Sequence, residues 1–286
     1  MGKVYNITER INKKLYCLRE VDSVNRYLIL GNKRALLIDP GYGYVDFRSE
    51  IKGITDLPLV VACTHGDPDH TLGSYFFDEV YLHKADYKYL KRDFDTREMR
   101  EITIDYRLKK LPGLENEMDI NDYLGQTLDN VKFNFITQDH IFDLGDRLIE
   151  VIEIPGHSKG SVAFFDKKNK MLFTGDSVSY AEILYKGEQR ASLKTFVQSL
   201  KKLRRLKACV EEIYPAHGPR PIPPSAIDDT LELIFDLLRN HEEDEKKQSM
   251  VGSTFKHTYK NTWILYTKEI VEEAIKDGLE AYDSCF

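Results

Sequence analysis

No stretch of about 18 apolar residues runs through this chain, so a membrane-spanning helix is excluded. The opening Met1-Gly-Lys-Val-Tyr-Asn6 lacks the apolar core of a secretory leader, and Asn6 argues against myristoylation at Gly2. Cysteine is scarce. Cys17, Cys63, Cys209 and Cys285 are widely spaced without a CxxC pair, which points away from a disulfide framework and toward free buried thiols in a reducing compartment. Positive charge is not in excess either. The formal net charge of -6 disfavours a nucleic-acid or anionic-membrane partner. The basic run Lys201-Lys-Leu-Arg-Arg-Leu-Lys207 carries leucines at 200, 203 and 206, the pattern of an amphipathic helix with a solvated face. The expected protein is cytoplasmic and acts on a small-molecule substrate, with a homodimer left open.

What is present is a large core and clear punctuation. The 286 residues are 42% hydrophobic and 31% charged, enough apolar content for one large globular domain over 1–286. Strands are expected at Leu15–Arg19, Asn25–Leu30, Arg34–Ile38 and Leu57–Cys63, the last a continuous apolar run suited to burial on both faces. A short helix is expected over Phe47–Ile54 and a strand at Val80–Leu82. Residues of about 84–130 change character, becoming charged and Tyr-rich, and read as a helical insertion too poor in apolar residues to build its own core. Strands resume at Phe133–Ile136, Asp146–Ile154, Val162–Asp166, Lys170–Phe173 and Cys209–Tyr214, with a helix over Leu193–Leu206. In a C-terminal extension of about 225–286, Ser225 with Asp228 reads as a capping box opening a helix to Leu238. A strand at Asn261–Tyr266 and a closing helix at Glu269–Tyr282 follow. Two β-rich blocks separated by helices predict an α/β (α+β) four-layer αββα sandwich of two mixed sheets.

Four short segments carry the chemistry: Thr64-His-Gly-Asp-Pro-Asp-His70, Pro155-Gly-His157, Thr174-Gly-Asp176 and Pro215-Ala-His217. They supply four histidines and three aspartates, His65, Asp67, Asp69, His70, His157, Asp176 and His217, each in a turn beside an apolar run. Side chains at strand ends converge on the mouth of a sheet, and imidazole with carboxylate is the donor set of first-row divalent metals. Pro68 stiffens the first loop and lowers the entropy lost in holding ligands. Singly, His157, Asp176 and His217 are turn residues; their co-occurrence carries the argument.

The set resembles the metallo-β-lactamase superfamily, whose pattern is HxHxDH, a His after a Pro-Gly turn, a Gly-Asp after a strand and a late His-Gly. Asn25 in Val-Asn-Arg-Tyr-Leu-Ile and Asp39 in Leu-Ile-Asp-Pro-Gly fit its N-terminal hairpin, and the likeness spans roughly residues 13–83 and 140–225. The resemblance implies two divalent ions: one held by His65, Asp67 and His157, the other by Asp69, His70 and His217, with Asp176 bridging. It implies a hydroxide-based hydrolase acting on a small ester, thioester, lactone or phosphoester, with Asp69 orienting the nucleophile or accepting its proton. Asp39 would support the ligands from behind, its other reading being a simple turn Asp.

The chain departs from that pattern at position 67, where Asp stands in place of the second His. A third carboxylate favours harder ions, Fe or Mn, over Zn. The flavodiiron branch has Glu there, so a di-iron redox protein is one alternative. A metal-poor binding or sensing protein that keeps the fold without catalysis is another, and an Asp67 too short to reach would leave a weakened or mononuclear site. Tyr87, Tyr89, Tyr106 and Tyr123, with Tyr180 and Tyr185, are candidates for a substrate lid or for packing with a polar tip. Lys159 is a candidate contact for an anionic substrate or a solvated lysine.

Overall fold

The computed structural model describes residues 5–249 and 252–279. It is a mixed α/β chain that divides into two compact units, 1–151 and 152–286. No helix among the described residues is long and apolar enough to cross a membrane.

The first unit is built on a seven-stranded mixed sheet whose strands follow chain order: Asn6–Asn12, Leu15–Glu20, Asn25–Leu30, Ala35–Ile38, Leu59–Ala62, Glu79–His83 and Lys132–Ile136. The first four pair antiparallel through short turns, and the last four run parallel. Parallel neighbours need crossovers, which the helix Arg48–Ile54 and the helices between 84 and 125 provide. Ala35–Ile38 is wholly buried, as its unbroken apolar run requires. Residues 84–130 contain helices Lys84–Tyr89, Arg97–Lys110 and Ile120–Gly125. Leu90, Ile104, Leu114, Tyr123 and Leu128 from this stretch join the same core as Leu28, Leu37 and Val61. Thr96 caps the longest of these helices, its Oγ1 accepting from Met99 N at 3.1 Å.

In the second unit Val162–Asp166, Met171–Gly175 and Glu212–Pro215 are adjacent strands, antiparallel and then parallel. Helices Leu193–Leu206 and Ala226–Asn240 pack their leucine faces into the core of that unit. Lys201, Arg204 and Arg205 lie on the wetter side of the first.

A further sheet, in addition to the two read from sequence, pairs Glu182–Tyr185 with three strands of the C-terminal extension, Thr262–Tyr266, Gly252–Tyr259 and Glu245–Ser249 in spatial order. Three local expectations fail. Ser225 is not a side-chain cap: it lies in the αR region, inside a turn where Ala226 N donates to Pro223 O at 2.9 Å. Cys209 is exposed rather than buried, because it falls in a 3-10 turn after the helix instead of in the strand; Cys17 and Cys63 are buried, and Cys285 is outside the described residues. The closing helix ends at Lys276, so its expected last residues to 279 are not helical, and 280–282 lie outside the described residues.

Candidate functional site

In the first unit, the parallel strand Leu59–Ala62 ends directly before Thr64 and releases the chain into the ligand loop. Gly66 N donates to Asp86 Oδ2 at 2.9 Å, so a side chain of the helix Lys84–Tyr89 anchors the loop. Asp67 starts the short helix Pro68–Thr71 but makes no side-chain cap hydrogen bond, while its main-chain oxygen accepts from His70 N and Thr71 Oγ1. The carboxylate is thereby left on the same side as its neighbours. His65 Nε2 stands 3.6 Å from Asp67 Oδ2, His70 Nε2 stands 3.5 Å from Asp69 Oδ2, and the two imidazoles are 3.9 Å apart between ring centres.

The tautomers follow from the partners on the far side of each ring. Asp39 Oδ2 lies 3.0 Å from His70 Nδ1, and a carboxylate only accepts, so Nδ1 carries the proton and Nε2 the lone pair. Thr64 Oγ1 donates to Asp39 Oδ2 at 2.9 Å, and its oxygen lies 3.0 Å from His65 Nδ1, which makes that nitrogen the donor too. Thr64 N donates to Asp39 Oδ1 at 2.7 Å. Asp39 adopts φ 59°, a left-handed conformation that Asp tolerates better than most residues, and Gly41 follows at φ 84°. Strain at this spot is held by the hydrogen bonds of the buried carboxylate. Thr64 was not singled out in the sequence, because a hydroxyl preceding a His carries no signal until the fold brings Asp39 to it.

In the second unit, Asp176 and His217 leave neighbouring parallel strands whose ends are in register at Gly175 and Pro215. His157 sits in a turn pressed on the helix Leu193–Leu206: a Cβ on Gly156 would lie 2.2 Å from the Phe196 ring, so only glycine fits there. Ser199 Oγ donates to Pro155 O and Arg190 Nη1 to His157 O, at 2.7 and 2.6 Å. Asp176 then meets two histidines with its two oxygens: Oδ2 is 3.5 Å from His157 Nε2 and Oδ1 is 3.4 Å from His217 Nε2.

All four imidazole–carboxylate separations fall between 3.4 and 3.6 Å. That is longer than a charge-assisted hydrogen bond of about 2.7–2.9 Å. It matches two donors on one ion: with bonds of about 2.0–2.2 Å in tetrahedral array, neighbouring ligand atoms lie roughly 3.3–3.6 Å apart. The donor sets of both units therefore fit divalent metal.

The remaining residues singled out in the sequence have other surroundings. Tyr106 is exposed on the helix Arg97–Lys110, with Lys110 Nζ 4.5 Å from its ring centre. Lys159 Nζ donates to Glu188 O at 2.7 Å. Tyr180 Oη donates to Asp229 Oδ2 at 2.8 Å, and burial followed by that hydrogen bond raises its pKa. Tyr123 and Tyr185 are buried, Tyr185 donating to Ala191 O. Tyr87 packs on Phe133 and Phe135.

A profile of the metallo-beta-lactamase superfamily matches residues 19–217, a span that encloses both donor sets. The human acyl-coenzyme A thioesterase MBLAC2 is 29% identical over 208 residues, covering 68% of this chain and 72% of the relative. Among solved structures, a metallo-beta-lactamase from Pontibacter korlensis superposes with a TM-score of 0.53 at 20% identity, covering 80% of this chain and 98% of that one. An archaeal superfamily protein from Sulfolobus tokodaii gives 0.52 at 22% identity, covering 78% and 82%. These structures share the fold.

Proposed function

The chain belongs to the metallo-beta-lactamase superfamily and is a hydrolase of that fold, and on this premise we propose that it hydrolyses acyl thioesters at a binuclear divalent-metal centre. The observation that carries the reading is the common 3.4–3.6 Å spacing of the four imidazole–carboxylate pairs. In this reading His65, Asp67 and His157 would hold one ion, Asp69, His70 and His217 would hold the other, and Asp176 would serve both. Asp67 belongs to the set because its Oδ2 approaches His65 as closely as the other carboxylates approach their histidines.

The ions would supply Lewis acidity, lowering the pKa of water and polarising the scissile carbonyl. The protein's part is orientation and proton handling. Asp39 and Thr64 keep the Nδ1 protons of His70 and His65 in place, so that both Nε2 lone pairs face the ligand carboxylates. Asp69, whose side chain retains one-fifth of its exposure, orients the attacking water and accepts its proton. A thiol leaving group has a pKa of about 8.5, so it departs as thiolate without a dedicated acid. That chemistry, with the thioesterase relative, favours a thioester among the acyl and phosphoryl substrates such a centre accepts.

The test is thiol release from a panel of short- to long-chain acyl-coenzyme A thioesters by protein of measured metal content. Turnover should vanish on chelation and return on addition of divalent metal. A fully loaded protein that releases no thiol above buffer from any of them would defeat the thioesterase reading.

A further inference from the structure

Four arginines of the first unit, Arg26, Arg100, Arg107 and Arg147, are almost wholly buried; the polar helix Arg97–Lys110 supplies two of them, and Arg147 donates to the main-chain oxygens of Lys14 and Leu30. A buried guanidinium is costly unless an anion and hydrogen bonds compensate it. Arg26 meets Glu20 at 3.3 Å and also stacks on Phe47. Arg100 has Asp95 at 3.5 Å and lies over the rings of Tyr75 and Tyr123.

Arg107 differs from both. It is 5% exposed and makes no ion pair among the described residues; its Nη1 donates to the main-chain oxygen of Asp22, and its Nε has no partner. Its charge centre is 5.8 Å from the Tyr42 ring, which stacks on Tyr44 at 4.8 Å, and Tyr5 lies 5.9 Å from Tyr44. The hydroxyl of Tyr5, also buried, likewise lacks a hydrogen-bond partner. The carboxylate that bears on Arg107 is that of Glu20, already engaged by Arg26, Tyr42 N and Ser23. A cation with an open N–H edge beside an unengaged phenol is a donor set without its acceptor.

We propose that Arg107, with the Tyr5 hydroxyl, forms a subsite for an oxyanion, a carboxylate or a phosphate. It adjoins the ligand loops through Tyr42, three residues beyond Asp39 and within the field of the Asp69 carboxylate. Burial raises the pKa of Tyr5 well above 10, so its hydroxyl remains a donor at neutral pH. Two sources share the chemistry: an acid group on the substrate's own acyl chain, or a free anion. The first rests on the thioesterase reading; the subsite itself does not.

Binding is read without turnover. Purified metal-loaded protein is titrated with malonate, acetate and inorganic phosphate at constant ionic strength against chloride, by calorimetry and thermal unfolding. Wild type should show saturable one-site binding and a rising Tm with at least one of the three. Tyr5→Phe removes one unengaged hydroxyl without changing the packing, so it should keep its anion-free Tm and bind about tenfold more weakly, and Arg107→Met should not bind. If Arg107→Met fails to fold, Tyr5→Phe alone decides. Absence of binding to wild type, meaning ordered water only, overturns the proposal, as does equal affinity in wild type and Tyr5→Phe. Competition of malonyl-coenzyme A, but not acetyl-coenzyme A, with the bound anion assigns the subsite to substrate; competition by neither assigns it to a free anion. Failure to hydrolyse any thioester leaves the binding result intact.

Discussion

Asp39 Oδ2 lies 3.0 Å from Nδ1 of His70, although 31 positions separate the two residues, and this contact fixes which ring nitrogen of His70 presents a lone pair. The carboxylate is fully buried and takes two further hydrogen bonds from Thr64. Asn tolerates the left-handed backbone of position 39 and keeps the shape of Asp while removing its charge. Asp39→Asn should therefore fold and bind metal roughly 10–100-fold more weakly, the usual effect of losing a residue behind a ligand. Competition against a chromophoric chelator measures this; unchanged affinity would reduce Asp39 to a turn residue.

Asp176 places one oxygen near each of two histidines, 3.5 Å from His157 and 3.4 Å from His217. Asp176→Ala should lower bound metal below two equivalents and reduce kcat by about 100-fold or more, some 2.7 kcal/mol of barrier. Elemental analysis beside steady-state kinetics separates the two effects. Full metal content with normal kcat would remove Asp176 from the centre.

The candidate donor residues stand out in sequence because each lies in a short motif at the end of an apolar strand, and strand ends are what a hydrophobic run marks best. Asn25–Leu30 and Val162–Asp166 appear with the bounds their patterns imply. What escaped was structure whose stability comes from pairing rather than pattern. Asn6–Asn12 is largely exposed along its length, and Glu245–Ser249 is a run of charged and polar residues; both are edge strands ordered by the hydrogen bonds of a neighbour. Arg107 escaped for a related reason. The segment Arg97–Lys110 reads as a solvated helix, and only tertiary contact buries its guanidinium among tyrosines.

Those tyrosines set the alkaline limit of stability. Burial raises the pKa of Tyr5, Tyr42 and Tyr44 well above 10, and that of Tyr123 to about 12. The folded chain favours the neutral phenol, whereas the unfolded chain ionises near pH 10. Stability from this cluster is thus fully present below about pH 10 and is lost as pH rises from there through the folded values. Tyrosinate absorbance should rise in two stages, exposed rings first and the buried set together with loss of circular dichroism. A buried set that ionises near pH 10 in a chain still folded would contradict the packing.

The residue at 67 is predicted to set the metal preference. Asp67 is buried and sets Oδ2 3.6 Å from His65 Nε2, a spacing close to that of the three other imidazole–carboxylate pairs despite a reach shorter than that of Glu. A carboxylate there brings the anionic donors to three, with Asp69 and Asp176, against four imidazoles. Carboxylate is a harder donor than imidazole and favours Fe or Mn, while exchanging it for an imidazole nitrogen favours Zn. Protein purified anaerobically should hold mainly Fe or Mn, and Asp67→His should shift the content toward Zn when both are grown in the same medium. Metal analysis of the two proteins side by side measures the shift. Equal zinc loading in both would show that position 67 does not select the ion, and would return that role to the histidines common to the pair.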